Sequence, residues 1–498
     1  MSAEALRGTP RVPLSPGWAP GFRLGSRPLR RRRWAAPTVM LVAAALAGAL
    51  AGANAKMALA AAGACVLLAL PFAAPVTALV LVVAITAIVP FDVQNSVALG
   101  GGPGRPGLIA SDVLLAAGLA RGALALLDTP LQRRAGWILA ATIAVLGAAI
   151  AQAVHGLRSG HDPGTAGTEL RTLLGLGAAV IAMPLLADAT ARARLFRAML
   201  GVGLAIGLWG IVQWTVDIPF TAAGDAGVRA GVRLTTEGRG QIQGGLYAFP
   251  VVVVMGIAAL LSHEIRAPRT RALLVAVVAL NAADLVLTYE RTFWVATLLA
   301  LVYLALHATP RQRLRALILG PALLAVVVAG MAFVAPGDMV AARQRLLSIG
   351  QYGSDLSVRF RVTETANVTQ AIASDPLRGS GLGATIIWGR PYEGVRPTTE
   401  SFAHDGYLWL AWKLGVPVAV LVVLLFGAAV LLRGPPPASS TYGALRAGAR
   451  SSLLLLLIAS VTFPSFNTLG ITAAMGVLVA LCAAPAGAPL RPSQEEAP

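Results

Sequence analysis

Long apolar segments recur along almost the whole chain and are separated by short clusters of arginine. A helix needs roughly 20 apolar residues to cross a hydrocarbon core of about 30 Å, and many of these segments are long enough. Only 12% of the residues are charged, whereas soluble globular chains carry about 25%. The mean hydropathy is +0.73. The pattern predicts an all-α, polytopic transmembrane bundle of about 12–14 helices.

Arginine supplies nearly all of the positive charge, because Lys56 and Lys413 are the only lysines among 40 basic residues. Basic residues concentrate in the cytoplasmic loops of membrane proteins. If the N-terminus is cytoplasmic and each apolar segment crosses once, every cluster falls on the cytoplasmic side. The net charge of +18 therefore indicates topology, and we expect no nucleic-acid partner. The clusters are Arg30–Arg33, Arg133–Arg134, Arg192–Arg197, Arg266–Arg271, Arg311–Arg315 and Arg433–Arg450.

The order of apolar and polar segments predicts six regions. We expect the first apolar segment to be a retained helix, since no convincing small-residue cleavage site follows it. A helix is predicted near 357–374, and a single helix over 404–432. The regions are a disordered cytoplasmic N-terminus (1–33), N-terminal transmembrane helices (34–197), core transmembrane helices with outward arginines (198–335), a long extracytoplasmic loop containing short helices (336–403), C-terminal transmembrane helices (404–486) and a cytoplasmic tail (487–498).

A histidine, His404, stands at the start of an apolar segment, in TESFAHDGYLWLAWKLG (399–415). A lone histidine near a helix start is more often structural than catalytic. Here, however, Asp405 follows directly, Glu400 lies four residues earlier, and the segment follows the longest outer loop. Imidazole titrates near neutral pH, which suits a general base or a group that orients a hydroxyl. His404 is therefore the candidate catalytic residue.

Several arginines on the predicted outer side depart from the topology rule. Arg233 and Arg239 precede one helix, and Arg291 begins another. Arg359 lies in the long loop. A single arginine can anchor a helix end at lipid headgroups. Several that converge need an anionic partner, and guanidinium offers a planar fork of donors to phosphate oxygens. The group predicts a site for a lipid phosphate or diphosphate.

Motifs for nucleotides and metals are missing from the sequence. Neither lysine belongs to a G-x-x-x-x-G-K pattern, and no D-x-D pair occurs. His161 and Asp162 alone make a poor metal site, and Cys65 and Cys482 both lie inside apolar segments. We expect no metal, no nucleotide and no other cofactor.

Four segments in order resemble the O-antigen ligase family, which also contains O-antigen polymerases. In GVRLTTEGRGQ the matching arginine is Arg233, with Arg239 as the alternative. YERTFWVATLLAL matches at Arg291, although Glu290 stands where the family has serine. The third segment is SVRFRVTETANVTQAIASDPLRGSGLG. Its Arg359 matches the loop arginine of the family, and its last residues match the glycine-rich turn that follows.

The fourth segment, AHDGYLWLAWKLGVP, is similar to the histidine motif of the family. It contains His404, Leu408 and Gly415, and Asp405 stands where the family usually has asparagine. A carboxylate there could strengthen the histidine as a base or, if unpaired, repel a diphosphate. The resemblance runs through about residues 198 to 432.

The resemblance implies an inverting, metal-independent glycosyltransferase in the bacterial cytoplasmic membrane, acting on its outer side. Such enzymes transfer a glycan from an undecaprenyl-diphosphate carrier to a glycan or lipid acceptor. His404 is then the catalytic residue, and Arg233 (or Arg239) and Arg291 bind the diphosphate. Arg359 is a candidate contact for glycan or phosphate. Apart from donor and acceptor, the expected partners are membrane lipids.

Two other functions remain open. A polymerase of the same family would lengthen the carrier-linked chain, and these residues do not identify the acceptor. A transporter of lipid-linked glycans is a different class, in which ionisable groups lie near mid-membrane on broken helices of repeated halves. The charges here gather at the outer boundary and no internal repeat is evident, which favours the enzyme.

Overall fold

The computed structural model describes residues 55–89, 94, 98, 107–129, 131–216, 245–262, 265, 267–347, 356–388, 398–431 and 441–483. These residues are almost entirely helical. The first apolar segment (34–53), predicted to be a retained helix, lies outside them, as do the N-terminal region and the C-terminal tail. The first helices are α1 (Ala55–Ala73), α2 (Pro75–Ile88), α3 (Ala110–Leu126), α4 (Arg133–Arg158), α5 (Pro163–Leu174), α6 (Ala178–Ala187), α7 (Ala189–Val216), α8 (Ala248–Leu260), α9 (Pro268–Leu287), α10 (Arg291–Leu306) and α11 (Pro310–Val334).

The long polar region and the C-terminal part follow. A short antiparallel hairpin of β1 (Ile386–Trp388) and β2 (Thr398–Glu400) pairs Ile387 with Thr399. The helix predicted near 357–374 is confirmed as α13. The remaining helices are α12 (Pro336–Leu347), α13 (Leu356–Ser374), α14 (Gly406–Leu414), α15 (Val416–Leu431), α16 (Thr441–Ala459) and α17 (Leu469–Ala483).

The prediction of an all-α polytopic bundle is confirmed. Within the described residues, 6 helical segments are long and apolar enough to cross a membrane, and further apolar helices of 10–17 residues accompany them. The chain is a multi-pass membrane protein. The six long segments are Arg133–Arg158, Pro163–Ala187, Ala189–Thr215, Pro268–Leu287, Pro310–Val334 and Tyr442–Ala459.

Helix α17 is the centre of the bundle. All of its residues from Leu469 to Ala483 are buried, and it packs against α5, α6 and α16. Outer helices instead keep large apolar side chains exposed, such as Phe333 on α11. In water that surface would promote association, whereas in a bilayer it contacts lipid.

The prediction of a single helix over 404–432 is wrong, because the chain breaks between α14 and α15. Gly415, at the break, has a φ of 84°, a left-handed conformation that glycine adopts without steric cost. A Cβ atom at this position would also overlap the carbonyl oxygen of Leu377. The break exists because the backbone of another segment packs into it.

That segment is the glycine-rich turn, residues 375–384 (DPLRGSGLGA), which links α13 to the hairpin. Its N–H groups at Ser380 and Gly381 donate to the carbonyl oxygens of Trp412 (2.8 Å) and Lys413 (3.1 Å). These carbonyls belong to the last turn of α14 and have no partner within their own helix. The glycine-rich turn therefore completes the end of α14 and holds α13 beside it.

A buried ion pair fixes the other side of the glycine-rich turn. Lys413 Nζ lies 2.7 Å from Glu169 Oε1, and both side chains are buried. The N–H of Gly383 donates to Glu169 Oε2 at 2.6 Å. Removing one partner of a buried pair is costly because the other charge is left uncompensated. The pair thus attaches α5, α14 and the glycine-rich turn to one another.

We expect Gly415→Ala to destabilise the protein, by about 1–3 kcal/mol for its backbone conformation alone, which only glycine adopts readily, and more from the overlap with Leu377. Gly427→Ala on α15 is the matched control, since a Cβ there has no atom within 4 Å. Thermal unfolding in detergent measures both. Equal midpoints for the two variants would contradict this account of the break.

Candidate functional site

One turn of the chain brings the starts of two helices together. The turn follows α16 and comprises residues 460–463. The N–H of Gly406, which begins α14, donates to the carbonyl oxygen of Ser460 at 2.8 Å. Thr292, in the first turn of α10, shares a hydrogen bond of 2.6 Å with Thr462 through their hydroxyl groups. The helix starts that carry His404 and Arg291 therefore lie at the same end of the bundle.

His404 is paired with a carboxylate that sequence reasoning missed. Its Nδ1 lies 2.9 Å from Glu364 Oε2, and its backbone N–H donates to Glu364 Oε1 at 2.8 Å. Glu364 is on α13 and its side chain is 4% exposed, whereas that of His404 is 25% exposed. One carboxylate thus holds both the backbone and the ring of His404.

The pairing determines what the imidazole can do. A carboxylate accepts a hydrogen bond from Nδ1–H, and that tautomer places the lone pair on Nε2. The Phe402 ring packs against the imidazole, with ring centroids 5.6 Å apart. A buried carboxylate beside a partly exposed imidazole is the arrangement that orients a general base and stabilises its protonated form.

Asp405 has a structural role. Its Oδ1 accepts from the N–H groups of Tyr407 (2.9 Å) and Leu408 (3.0 Å), so it is the N-cap of α14. Asp405 lies outside the membrane-spanning segments, before the first residue of α14. Burial raises the pKa of its carboxyl, the two N–H groups act against that rise, and the nearby Glu364 adds to it. Asparagine caps a helix equally well, so the departure from the family motif preserves the cap.

The turn before Arg291 is anchored to two other helices. Tyr289 has a φ of 53°, unusual for a non-glycine residue. Its hydroxyl donates to Asp338 Oδ1 at 2.6 Å, and Asp338 Oδ2 accepts from Trp214 Nε1 at 3.2 Å. Arg291 is the first residue of α10 and is partly buried. The positive end of the helix dipole at the start of α10 favours an anion beside this guanidinium.

Three further arginines are candidates for the site: Arg233, Arg239 and Arg359. Arg233 and Arg239 lie in 217–244, outside the described residues. The backbone of Arg359 lies on α13, five residues before Glu364, which is about 7.5 Å along a helix; its side chain is outside the described part. Among the described residues, no group of three or more His, Cys, Asp or Glu side chains is placed to hold a metal ion.

Residues 275–423 match the family model described as O-antigen ligase. This part of the chain is similar to an O-antigen ligase domain. It runs from α9 into α15 and includes Arg291, Arg359, Glu364 and His404, so the resemblance inferred from the sequence is confirmed. A search of curated proteins found no match for the chain.

The match bears on the class of the protein. The chain is a multi-pass membrane protein, and the match supports an enzyme of the O-antigen ligase or polymerase type, a family that implies lipid-linked glycan and polysaccharide substrates. Arg233 and Arg239 precede the matched residues, whereas the pair of His404 and Glu364 lies within them.

Proposed function

We propose that the protein transfers a glycan from an undecaprenyl-diphosphate carrier to an acceptor hydroxyl, with inversion and without a metal, on the outer side of the bacterial cytoplasmic membrane. The observation that carries the proposal is the hydrogen-bonded pair of His404 and Glu364, located at the bundle end where Arg291 begins α10. The diphosphate is already an activated leaving group. The protein needs only to hold it, offset its developing charge and present the acceptor.

The diphosphate is held by Arg291, together with Arg233 or Arg239. Charge develops on the bridging phosphate oxygen as the glycosidic bond breaks, and guanidinium groups placed beforehand stabilise that charge. The N-terminal end of α10 adds the positive end of its helix dipole on the same side. Arg359 reaches the glycan or a phosphate from α13. These cations supply the electrostatic part of catalysis.

His404 is the general base. Nε2 takes the proton of the acceptor hydroxyl while its oxygen attacks the anomeric carbon from the face opposite the diphosphate. The bond from that carbon to the phosphate oxygen breaks, and its electron pair leaves with undecaprenyl diphosphate. The configuration at the anomeric carbon is therefore inverted. Glu364 is a positioning residue, because it acts on the substrate only through the imidazole ring.

The break at Gly415 does not favour a transporter. Broken helices in transporters expose backbone groups to a central substrate cavity. Here the carbonyl groups of Trp412 and Lys413 accept hydrogen bonds from the glycine-rich turn, and a buried ion pair closes the same region. The break serves to attach the glycine-rich turn and leaves the enzyme as the better-supported function.

Product analysis tests the proposal. Full-length protein in proteoliposomes receives an undecaprenyl-diphosphate-linked oligosaccharide of defined length, a candidate acceptor and EDTA. We expect free undecaprenyl diphosphate and a glycan on the acceptor with inverted linkage. Longer carrier-bound chains would identify the polymerase of the same family. Retained configuration, or transfer that stops with EDTA and returns with a divalent ion, would contradict the proposed mechanism.

We expect Glu364→Gln to lower kcat by about 10²- to 10⁴-fold, because glutamine cannot stabilise the protonated imidazole as a carboxylate does. The KM for the donor should stay nearly unchanged, since Glu364 does not bind the diphosphate. Glu400→Gln, a change of another carboxyl near His404, is the matched control and should leave kcat near the wild-type value. A parallel rise in KM, or equal effects of the two variants, would count against the positioning role.

A further inference from the structure

A groove at the opposite end of the bundle combines apolar walls with arginine. It lies between α4 and α15 and has a volume of about 640 Å³. Arg133 and Arg134 stand at the start of α4. Arg134 is 22 residues from Gly156, which contacts the glycine-rich turn, and this spacing is about 33 Å along the helix. The groove is therefore remote from the proposed catalytic end.

The walls of the groove are apolar and face outward. Trp137 is 67% exposed and Leu424 is 63% exposed. The other apolar lining residues are Ile138, Ala141, Leu421, Leu425 and Ala428. In a multi-pass membrane protein such surfaces contact hydrocarbon. The two helices are antiparallel, so the groove begins at the arginines and continues toward the middle of the membrane. Its shape suits a molecule with a polar head and an acyl chain.

The guanidinium of Arg134 lacks an internal partner. Its three nitrogen atoms are buried, and none has a hydrogen-bond partner among the described residues. Arg446 and Arg450 lie close enough to act electrostatically on Arg134, and both carry the same charge. Arg446 donates to the carbonyl oxygen of Cys482 at the end of α17, where the helix dipole favours a cation. Arg134 is also close enough to Cys482 for an electrostatic interaction, but it makes no hydrogen bond there among the described residues.

An unpaired buried cation next to two others is costly, so an anion from outside the described chain is the expected partner. A soluble anion would not occupy the apolar part of the groove. We propose that this groove binds an anionic phospholipid, with its phosphate at Arg133 and Arg134 and an acyl chain along Leu421 and Leu424. The site is independent of the proposed transfer reaction and lies about one membrane thickness from it.

Native mass spectrometry and thermal unfolding test the proposal on the full-length protein in neutral detergent. Phosphatidylglycerol is titrated against phosphatidylcholine, and Arg134→Gln is compared with Arg311→Gln, an exposed arginine at the start of α11. We expect the wild type and Arg311→Gln to retain phosphatidylglycerol preferentially and to be stabilised by it. Arg134→Gln should bind it about tenfold more weakly, as for loss of one charge-assisted contact.

A second variant separates the groove from the charge. Leu424→Trp fills the groove and leaves every arginine in place, so we expect it to lose phosphatidylglycerol binding as well. Equal binding in the wild type and Arg134→Gln would overturn the proposal. So would equal stabilisation of the wild type by inorganic phosphate, which would indicate a simple anion site. Deletion of residues 487–498, which include Glu495 and Glu496, is the last check. If it lowered the unfolding temperature as much as Arg134→Gln does, whether or not lipid is present, the tail would be the anionic partner of the arginines and the proposal would also be overturned.

Discussion

His404→Ala is expected to abolish glycan transfer, with a loss in kcat of about 10²- to 10⁴-fold or more. In the proposed mechanism the imidazole accepts the hydroxyl proton of the acceptor, and Glu364, 2.9 Å from Nδ1, holds the ring in the required tautomer. Alanine removes that base. Donor binding should persist, because the proposal assigns the diphosphate contacts to arginine. Initial rates with a defined undecaprenyl-linked donor measure the loss.

A second histidine provides the control for this variant. His307 lies at the far end of α10, where its Nδ1 pairs with the carbonyl oxygen of Tyr303 at 2.9 Å. His307→Ala should transfer glycan at nearly the wild-type rate, and both variants should insert into the membrane and unfold at similar temperatures. Near-normal transfer by His404→Ala would remove the histidine from the mechanism.

Arg291→Ala is expected to lower kcat by about 10²- to 10³-fold, the effect of removing one preorganised donor from a developing negative charge. It should also weaken the binding of undecaprenyl diphosphate itself. Arg291→Lys should recover only part of the loss, because an ammonium cannot offer the planar fork. Binding and rate measured on the same preparations separate the two effects.

The control for charge alone is Arg311→Ala, an exposed arginine at the start of α11. It should leave both binding and rate unchanged.

A further check is the double variant of Arg291 and His404. Residues that act in one site show non-additive losses, so the double variant should lose less than the product of the single losses. Fully multiplicative losses would place the two residues in independent roles.

The helices could be predicted from the sequence because the hydropathy and length of a segment are properties of its own residues and need no knowledge of tertiary contacts. The same reasoning placed Arg291 and His404 at one membrane boundary, since the alternation of arginine clusters assigns each helix start to a side. In the structure, the turn after α16 joins the starts of both helices. Arg233 and Arg239 lie outside the described residues, so their role stays a prediction.

Long-range contacts could not be predicted in this way. Glu364 precedes His404 by 40 residues, and no spacing rule connects a loop helix to a later helix start. One signal was available, because Glu364 is the only acidic residue in the sequence of α13. The break at Gly415 was missed for the same reason: an apolar segment looks continuous unless the backbone that packs into it is known.

The most direct measurement is a structure of the His404→Ala variant with an undecaprenyl-diphosphate-linked donor bound, since the variant should hold the donor without turning it over. The account predicts the diphosphate against Arg291 at the start of α10 and the anomeric carbon facing the position vacated by the imidazole, next to Glu364. A donor whose diphosphate lies at the other end of the bundle, or beyond reach of both α10 and α14, would contradict it.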